Sequence, residues 1–207
     1  MKTIIFFITF SALLHTGFAQ PIPTDSLYLG QVPPGYEPKI FLLPINGSFR
    51  PIERITISSD RKEIYFSQLN GYGNPLNVTK IQCYKYFDNM WQGPTELFNG
   101  YAAPALSPND SILFMQATIT YDRGETYYSR RTATGWSTPV QMFHFSQQSH
   151  YTQSTSLNNI YISTNFPGPS LRDVGKIIIS GADTTVMNIG LPVNTALDES
   201  DFFIARD

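Results

Sequence analysis

The sequence predicts an all-β chain built from a repeated unit of four short strands. A repeat, a composition and an absence support this. Ile57-Ser58-Ser59-Asp60, Leu106-Ser107-Pro108-Asn109, Thr155-Ser156-Leu157-Asn158 and Ile204-Ala205-Arg206-Asp207 recur at a spacing of 49 residues. Aromatic residues make up 14% of the 207 residues and charged residues also only 14%, against a usual charged share of about 25%. No stretch sustains an apolar period of 3.6 residues, so helix is nearly absent. Four antiparallel strands per 40–50 residues is the pattern of a β-propeller blade, and the expected fold is a β-propeller. A lone four-stranded sheet cannot bury two apolar faces, and stacked blades can. Aromatic side chains would supply much of that contact.

Residues 1–19 read as a signal peptide. Met1-Lys2 is a short positive start, Thr3 to Leu14 is an apolar run, and Gly17 and Ala19 are the small residues before a cleavage site at Gln20. The run is shorter than the roughly 20 apolar residues of a membrane span. A secreted or periplasmic location follows, with cleavage after Ala19. No Cys follows the site, which disfavours a lipid anchor. No other stretch is long enough to span a membrane.

Residues 20–51 form a lead-in, in which Glu37 to Ile45 is a candidate ring-closing strand. Blades are expected at about 52–100, 101–149 and 150–197, with a partial one at 198–207. In the complete copies a strand-like run follows the repeated turn: Glu63 to Ser67, Ile112 to Met115 and Ile160 to Ser163. Phe66, Phe114 and Ile162 sit 48 residues apart along these runs. A hairpin-like segment follows in each unit: Ile81 to Pro94, Thr126 to Pro139, and Lys176 to Met187. Turn residues of the Asn, Asp, Gly and Ser type separate the strands. Trp91 and Trp136 each follow a hairpin turn and are expected to pack between blades, with carbohydrate stacking as the alternative.

These residues carry a resemblance. Ser107-Pro108-Asn109-Asp110-Ser111-Ile112-Leu113-Phe114 resembles the S-P-D-G-x-x-[IL]-x-F core of TolB-like, WD-like propeller repeats. Ile57 to Phe66 is a second match. Leu29 to Pro38 is similar to the lead-in of exported bacterial members, and Asp198 to Asp207 to the opening of a further repeat. The resemblance covers residues 29–207 and implies a propeller of three complete blades and the start of a fourth. The turn Gly is missing from all three complete copies, and Leu157 replaces Pro in the third. An incomplete ring has two explanations: a chain that continues past Asp207, or a dimer of two half-rings closing one ring.

Formal net charge is −2, and loss of Lys2 with the signal makes the mature chain more acidic. No basic excess exists to neutralise phosphates, so nucleic acid is excluded as an expected partner. Cys83 is the single cysteine, so no internal disulfide forms, and a buried apolar role is expected. His144 and His150 could form a metal pair only with a carboxylate nearby, and none is evident; a surface or blade-edge role is expected. Asp198, Glu199 and Asp201 form a cluster expected to be solvated. Asp60 is expected to form a turn. Asn46, Asn77 and Asn109 begin glycosylation sequons. No G-x-S-x-G, H-E-x-x-H, EF-hand or Walker pattern occurs, and no catalytic, cofactor-binding or metal residue is assigned. The expected function is an exported propeller scaffold that binds a protein, peptide or glycan in the cell envelope. The alternative is a fragment of a propeller-type glycan-active enzyme, or an accessory domain of a peptidase, with catalytic residues beyond residue 207.

Overall fold

The computed structural model of the chain describes residues 21–32, 35–45, 47, 49–70, 79–118, 125–143, 148–167, 172–181 and 183–205. The segment read as a signal peptide lies outside them. After one helical turn, α1 (Leu27–Gly30), every regular element is a strand. The first sheet runs β1 (Arg50–Ile57), β2 (Glu63–Leu69), β3 (Thr79–Phe87) and β4 (Met90–Asn99), antiparallel in chain order. The second contains β5 (Tyr101–Leu106), β6 (Ile112–Ala117), β7 (Thr126–Thr132), β8 (Gly135–Trp136) and β9 (Val140–Gln141). The third runs β10 (His150–Ser154), β11 (Ile160–Thr164), β12 (Asp173–Ser180) and β13 (Asp183–Asn188).

The all-β expectation agrees with this, but the propeller does not. The structure is a sandwich-like stack of three antiparallel sheets, and no ring is formed among the described residues. The middle sheet has five strands: β8 and β9 share the edge beside β7, separated by Ser137, Thr138 and Pro139. Pro139 has no N–H to give to a ladder, which breaks this edge in two. Residues 198–205 form no strand, so no strand of a fourth blade is present among the described residues. Residues 37–45 form no strand either; Phe41, Leu43 and Ile45 instead cover Ile64, Phe66 and Tyr84 on the outer face of the first sheet. The repeat reported the strand–turn–strand unit correctly. A 49-residue period does not specify how successive sheets are arranged.

The repeated turns have a common side-chain lock. Ser58 Oγ donates to Asp60 Oδ1 at 2.6 Å and accepts from the Glu63 N–H at 2.9 Å. Ser107 repeats this, donating to Asn109 Oδ1 at 2.8 Å and accepting from the Ile112 N–H at 2.9 Å. In the third unit Thr155 takes the part of Ser58: its carbonyl accepts from the Asn158 N–H at 3.0 Å. That turn starts one residue earlier than the 49-residue spacing predicts, because Ser154 rather than Thr155 precedes it and pairs with Ile160. The place of the missing Gly is taken by Arg61, Asp110 and Asn158 at φ of 62°, 55° and 59°. Asn and Asp tolerate this left-handed region, whereas Arg pays a steric cost there.

Strand pairing also shifts the aromatic alignment by one residue. Tyr65 lies opposite Thr56 and Phe114 opposite Ala105, so Tyr65, not Phe66, is the counterpart of Phe114. Tyr161, opposite Gln153, completes the column. Phe66 instead faces outward with Ile64, stacked on Tyr84 at 5.9 Å between ring centroids.

In the middle sheet, β5 and β6 are buried on both faces. Leu113 and Met115 of β6 pack with Tyr65, Ile81 and Cys83 of the first sheet, so alternation turns Phe114 and Gln116 toward the third. Gln116 Nε2 reaches His150 Nδ1 at 2.7 Å there. A charged clamp joins the first two sheets. Arg131 donates to both carboxylate oxygens of Glu63, at 3.2 and 2.6 Å, while Tyr65 OH donates to Oε2 at 2.7 Å. Burial alone would raise the Glu63 pKa, but these bonds and the charges of Arg131 and Lys85 hold it below the ordinary carboxylate range. Trp136 meets Tyr65 edge-to-face at 6.0 Å, and Arg131 covers its ring at 4.4 Å. Trp91 packs against Tyr86 and donates from Nε1 to the Ser26 carbonyl at 2.6 Å, tying the lead-in to the first sheet. Both tryptophans are therefore packing residues.

Leu113→Ala is expected to cost about 2–5 kcal/mol, read as a lower denaturation midpoint with unchanged slope. Arg61→Gly is expected to raise stability by up to about 1 kcal/mol, because it relieves the left-handed backbone; a lower melting temperature would contradict the turn geometry.

Candidate ligand cleft

One irregularity occurs at the same place in all three sheets. The first strand of each carries a β-bulge, where the register shifts between Ile52 and Ile55, between Ala102 and Ala105, and between His150 and Gln153. Each bulge holds a non-glycine residue at positive φ: Glu53 at 60°, Ala103 at 52° and Tyr151 at 49°. Such conformations cost on the order of 1–3 kcal/mol each and persist only where the surroundings impose them. A bulge bends its strand and re-aims the residues that follow. Here those residues include Arg54, Pro104 and Gln153, which line one cleft of about 930 Å³.

The walls of the cleft are β1, β5 and β10, with residues 203–205 along one side. Each of these three strands pairs with a single neighbour, so all three are sheet edges. An edge presents backbone N–H and C=O groups that can take another strand. The lining is largely apolar with several hydroxyls, from residues such as Ile55, Leu106, Pro104, Ser154 and Thr155. Its size falls within the range of ligand pockets, about 300–1,000 Å³.

Arg54 is the charged anchor. Its guanidinium donates to the Tyr151 carbonyl at 3.2 Å and to the Phe202 carbonyl at 2.5 Å. It also sits over both rings, 4.7 Å from the Tyr151 centroid and 5.4 Å from that of Phe202. Burial pulls its pKa down to about 10, against the opposing pull of Tyr151, Asp201 and Glu53, so it stays charged at neutral pH. Tyr151 OH donates to Glu53, which fixes the aromatic wall. Gln153 Oε1 accepts from the Ile204 N–H at 2.6 Å.

The residues singled out in the sequence mostly lie elsewhere. Asp60 forms its turn, and Asn109 does the same in the second unit. Asn46 and Asn77 lie outside the described residues. Cys83 is buried, and burial pushes its thiol up to about 12, so it is not a nucleophile. Of the acidic cluster, Glu199 turns back to accept from Thr195 at 2.5 Å, while Asp201 faces Arg54 electrostatically and Asp198 is exposed. His144 lies outside the described residues. His150 is not a surface residue: it is 4% exposed, between the second and third sheets. Among the described residues no group of three or more His, Cys, Asp or Glu could hold a metal, and no helix is long and apolar enough to cross a membrane. Arg54 and Gln153 had no sequence signal, because the bulges that aim them are marked by no glycine.

His150 Nδ1 accepts from Gln116, which places the ring proton on Nε2, and Nε2 is buried without a partner among the described residues. Burial, with the nearby Arg172 charge, lowers its pKa to about 4 against the opposing Asp201. The neutral ring is thus fully stabilising above the ordinary value near 6.5, and that stability is lost as pH falls toward 4. His150→Gln is expected to flatten the pH dependence of the melting temperature between those limits, removing a contribution on the order of 3 kcal/mol. An unchanged pH profile would show that the ring titrates normally.

No protein-family model matches the chain, and no curated protein matches it. Among solved structures it is similar to a Mycobacterium tuberculosis puromycin-hydrolyzing peptidase, at 13% identity and a TM-score of 0.48. The match covers 67% of this chain and 23% of that one, so the chain spans about a quarter of that structure's length.

Proposed function

We propose that the chain is an exported binding scaffold whose ligand, a protein, peptide or glycan segment, lies in the cleft between β1, β5 and β10. The observation that carries this is the recurrence of one strained bulge in three sheets, each placing residues on the same cleft wall. A surface shaped for contact gives that strain a use. Export rests on residues 1–19, whose charge, apolar run and small residues are those of a secretory signal.

Two measurements test this. When the full chain is made in a bacterium, the mature protein is expected to begin at Gln20; recovery of intact Met1 from the soluble fraction would contradict export. Ligands selected from peptide and glycan arrays are expected to lose at least about tenfold in affinity with Ser154→Trp, which fills the cleft. They should keep it with Phe87→Ala, an exposed residue outside the cleft lining. Ligands indifferent to Ser154→Trp would place the binding surface elsewhere.

A further inference from the structure

The cleft is already lined on one side by a stretch of the chain itself, and the way that stretch is held describes a ligand. Residues 201–205 show alternating exposure: Phe202 and Ile204 are half-buried, while Asp201, Phe203 and Ala205 are exposed, Phe203 and Ala205 along the cleft. That alternation belongs to an extended backbone. The protein grips this segment at main-chain groups: Arg54 binds the Phe202 carbonyl and Gln153 binds the Ile204 N–H, one donor and one acceptor two residues apart. The side chains are read more loosely, Phe202 by its ring under the Arg54 cation and Asp201 by that same charge. Phe203 remains 78% exposed.

We infer that the cleft takes an extended peptide with an acidic residue followed by an aromatic one and, two positions later, an aliphatic one, and that residues 201–205 occupy part of its place. This inference deepens the binding function proposed above and rests on it. The side chains of Arg54 and Gln153 hold these main-chain groups, and alternate side chains of the segment are half-buried against the protein, as for an extended peptide. A glycan has no alternating N–H and C=O groups spaced to meet Gln153 and Arg54. The flanking edges of β1, β5 and β10 and the unfilled volume of about 930 Å³ allow a longer segment than the one already bound. Because the internal segment is tethered, it competes at high effective concentration. An external peptide must displace it, so weakening the internal segment should strengthen binding of the external one.

The test uses a labelled peptide with the sequence of residues 201–205, its reversed sequence and an oligosaccharide panel, titrated against the mature chain and three variants. Phe202→Ala and Ile204→Pro each loosen the internal segment, the first by removing the ring and the second by removing the N–H. Both are expected to tighten peptide binding by about tenfold, the value of one cation–π contact or one hydrogen bond. Arg54→Gln, introduced together with Ile204→Pro so that the internal segment no longer competes, is expected to weaken it by at least the same factor, and the reversed peptide should bind more weakly. Folding of each variant is checked by its thermal transition, and either of the two loosening variants suffices. Equal binding of the reversed peptide, or no gain with either loosening variant, would overturn the inference. An oligosaccharide that shifts cleft amides when the peptide does not would reject the peptide class and leave the cleft in place. If neither ligand shifts those amides, the cleft reading fails as well.

Discussion

The first two strands of the middle sheet, β5 and β6, have no solvent-facing side, and the rest of the structure follows from that constraint. Leu113 and Met115 meet the first sheet, while Phe114 and Gln116 turn to the third, so β6 is buried along most of its length. Hydrophobic burial supplies the attraction, and polar contacts set the registration. Between the first two sheets the Glu63–Arg131 pair, joined by Tyr65, does this in one geometry. Between the second and third, Gln116 with His150, and Thr126 with Ser149 and Thr152, do so with uncharged groups. A buried ion pair contributes less net stability than its Coulomb energy suggests, but breaking it leaves an unpaired charge. The two junctions therefore differ in kind: one is sensitive to loss of a charged partner, the other to protonation of an imidazole.

Stacking the sheets also brings their first strands together. β1, β5 and β10 converge without pairing to one another, and the bulges at Glu53, Ala103 and Tyr151 turn the following residues into the space between them. The cleft is thus a consequence of the stack rather than an addition to it. Arg54 bridges it, holding the β10 bulge on one side and residues 201–205 on the other. The same arginine is mostly buried yet charged, which it sustains through two carbonyls and two aromatic faces.

Much of the local structure could be read from the residues. The runs Glu63 to Ser67, Ile112 to Met115 and Ile160 to Ser163 fall within β2, β6 and β11, because alternating β-branched and aromatic residues between turn formers leave few other options. Buried Cys83, the turn at Asp60 and the packing of Trp91 and Trp136 were legible for the same reason. The arrangement of sheets was not, since a repeat period fixes the unit and leaves the stacking open. The burial of His150 was also missed, because the ring is enclosed by Gln116 of another sheet, 34 residues away. Nor could the cleft be seen. Its shape depends on left-handed backbone at Glu53, Ala103 and Tyr151, residue types that carry no propensity for it. Long-range contacts impose that conformation, and single-sequence patterns do not record them.

The central claim is that burial of β5 and β6 on both faces makes the three sheets one cooperative body. Native-state hydrogen exchange on the chain tests it most directly. The amides of Tyr65, Leu113 and Ile162, one from the second strand of each sheet, are expected to exchange with the same opening free energy and the same dependence on denaturant. A third sheet whose Ile162 amide opens at distinctly lower energy, while Tyr65 and Leu113 stay protected, would contradict the claim.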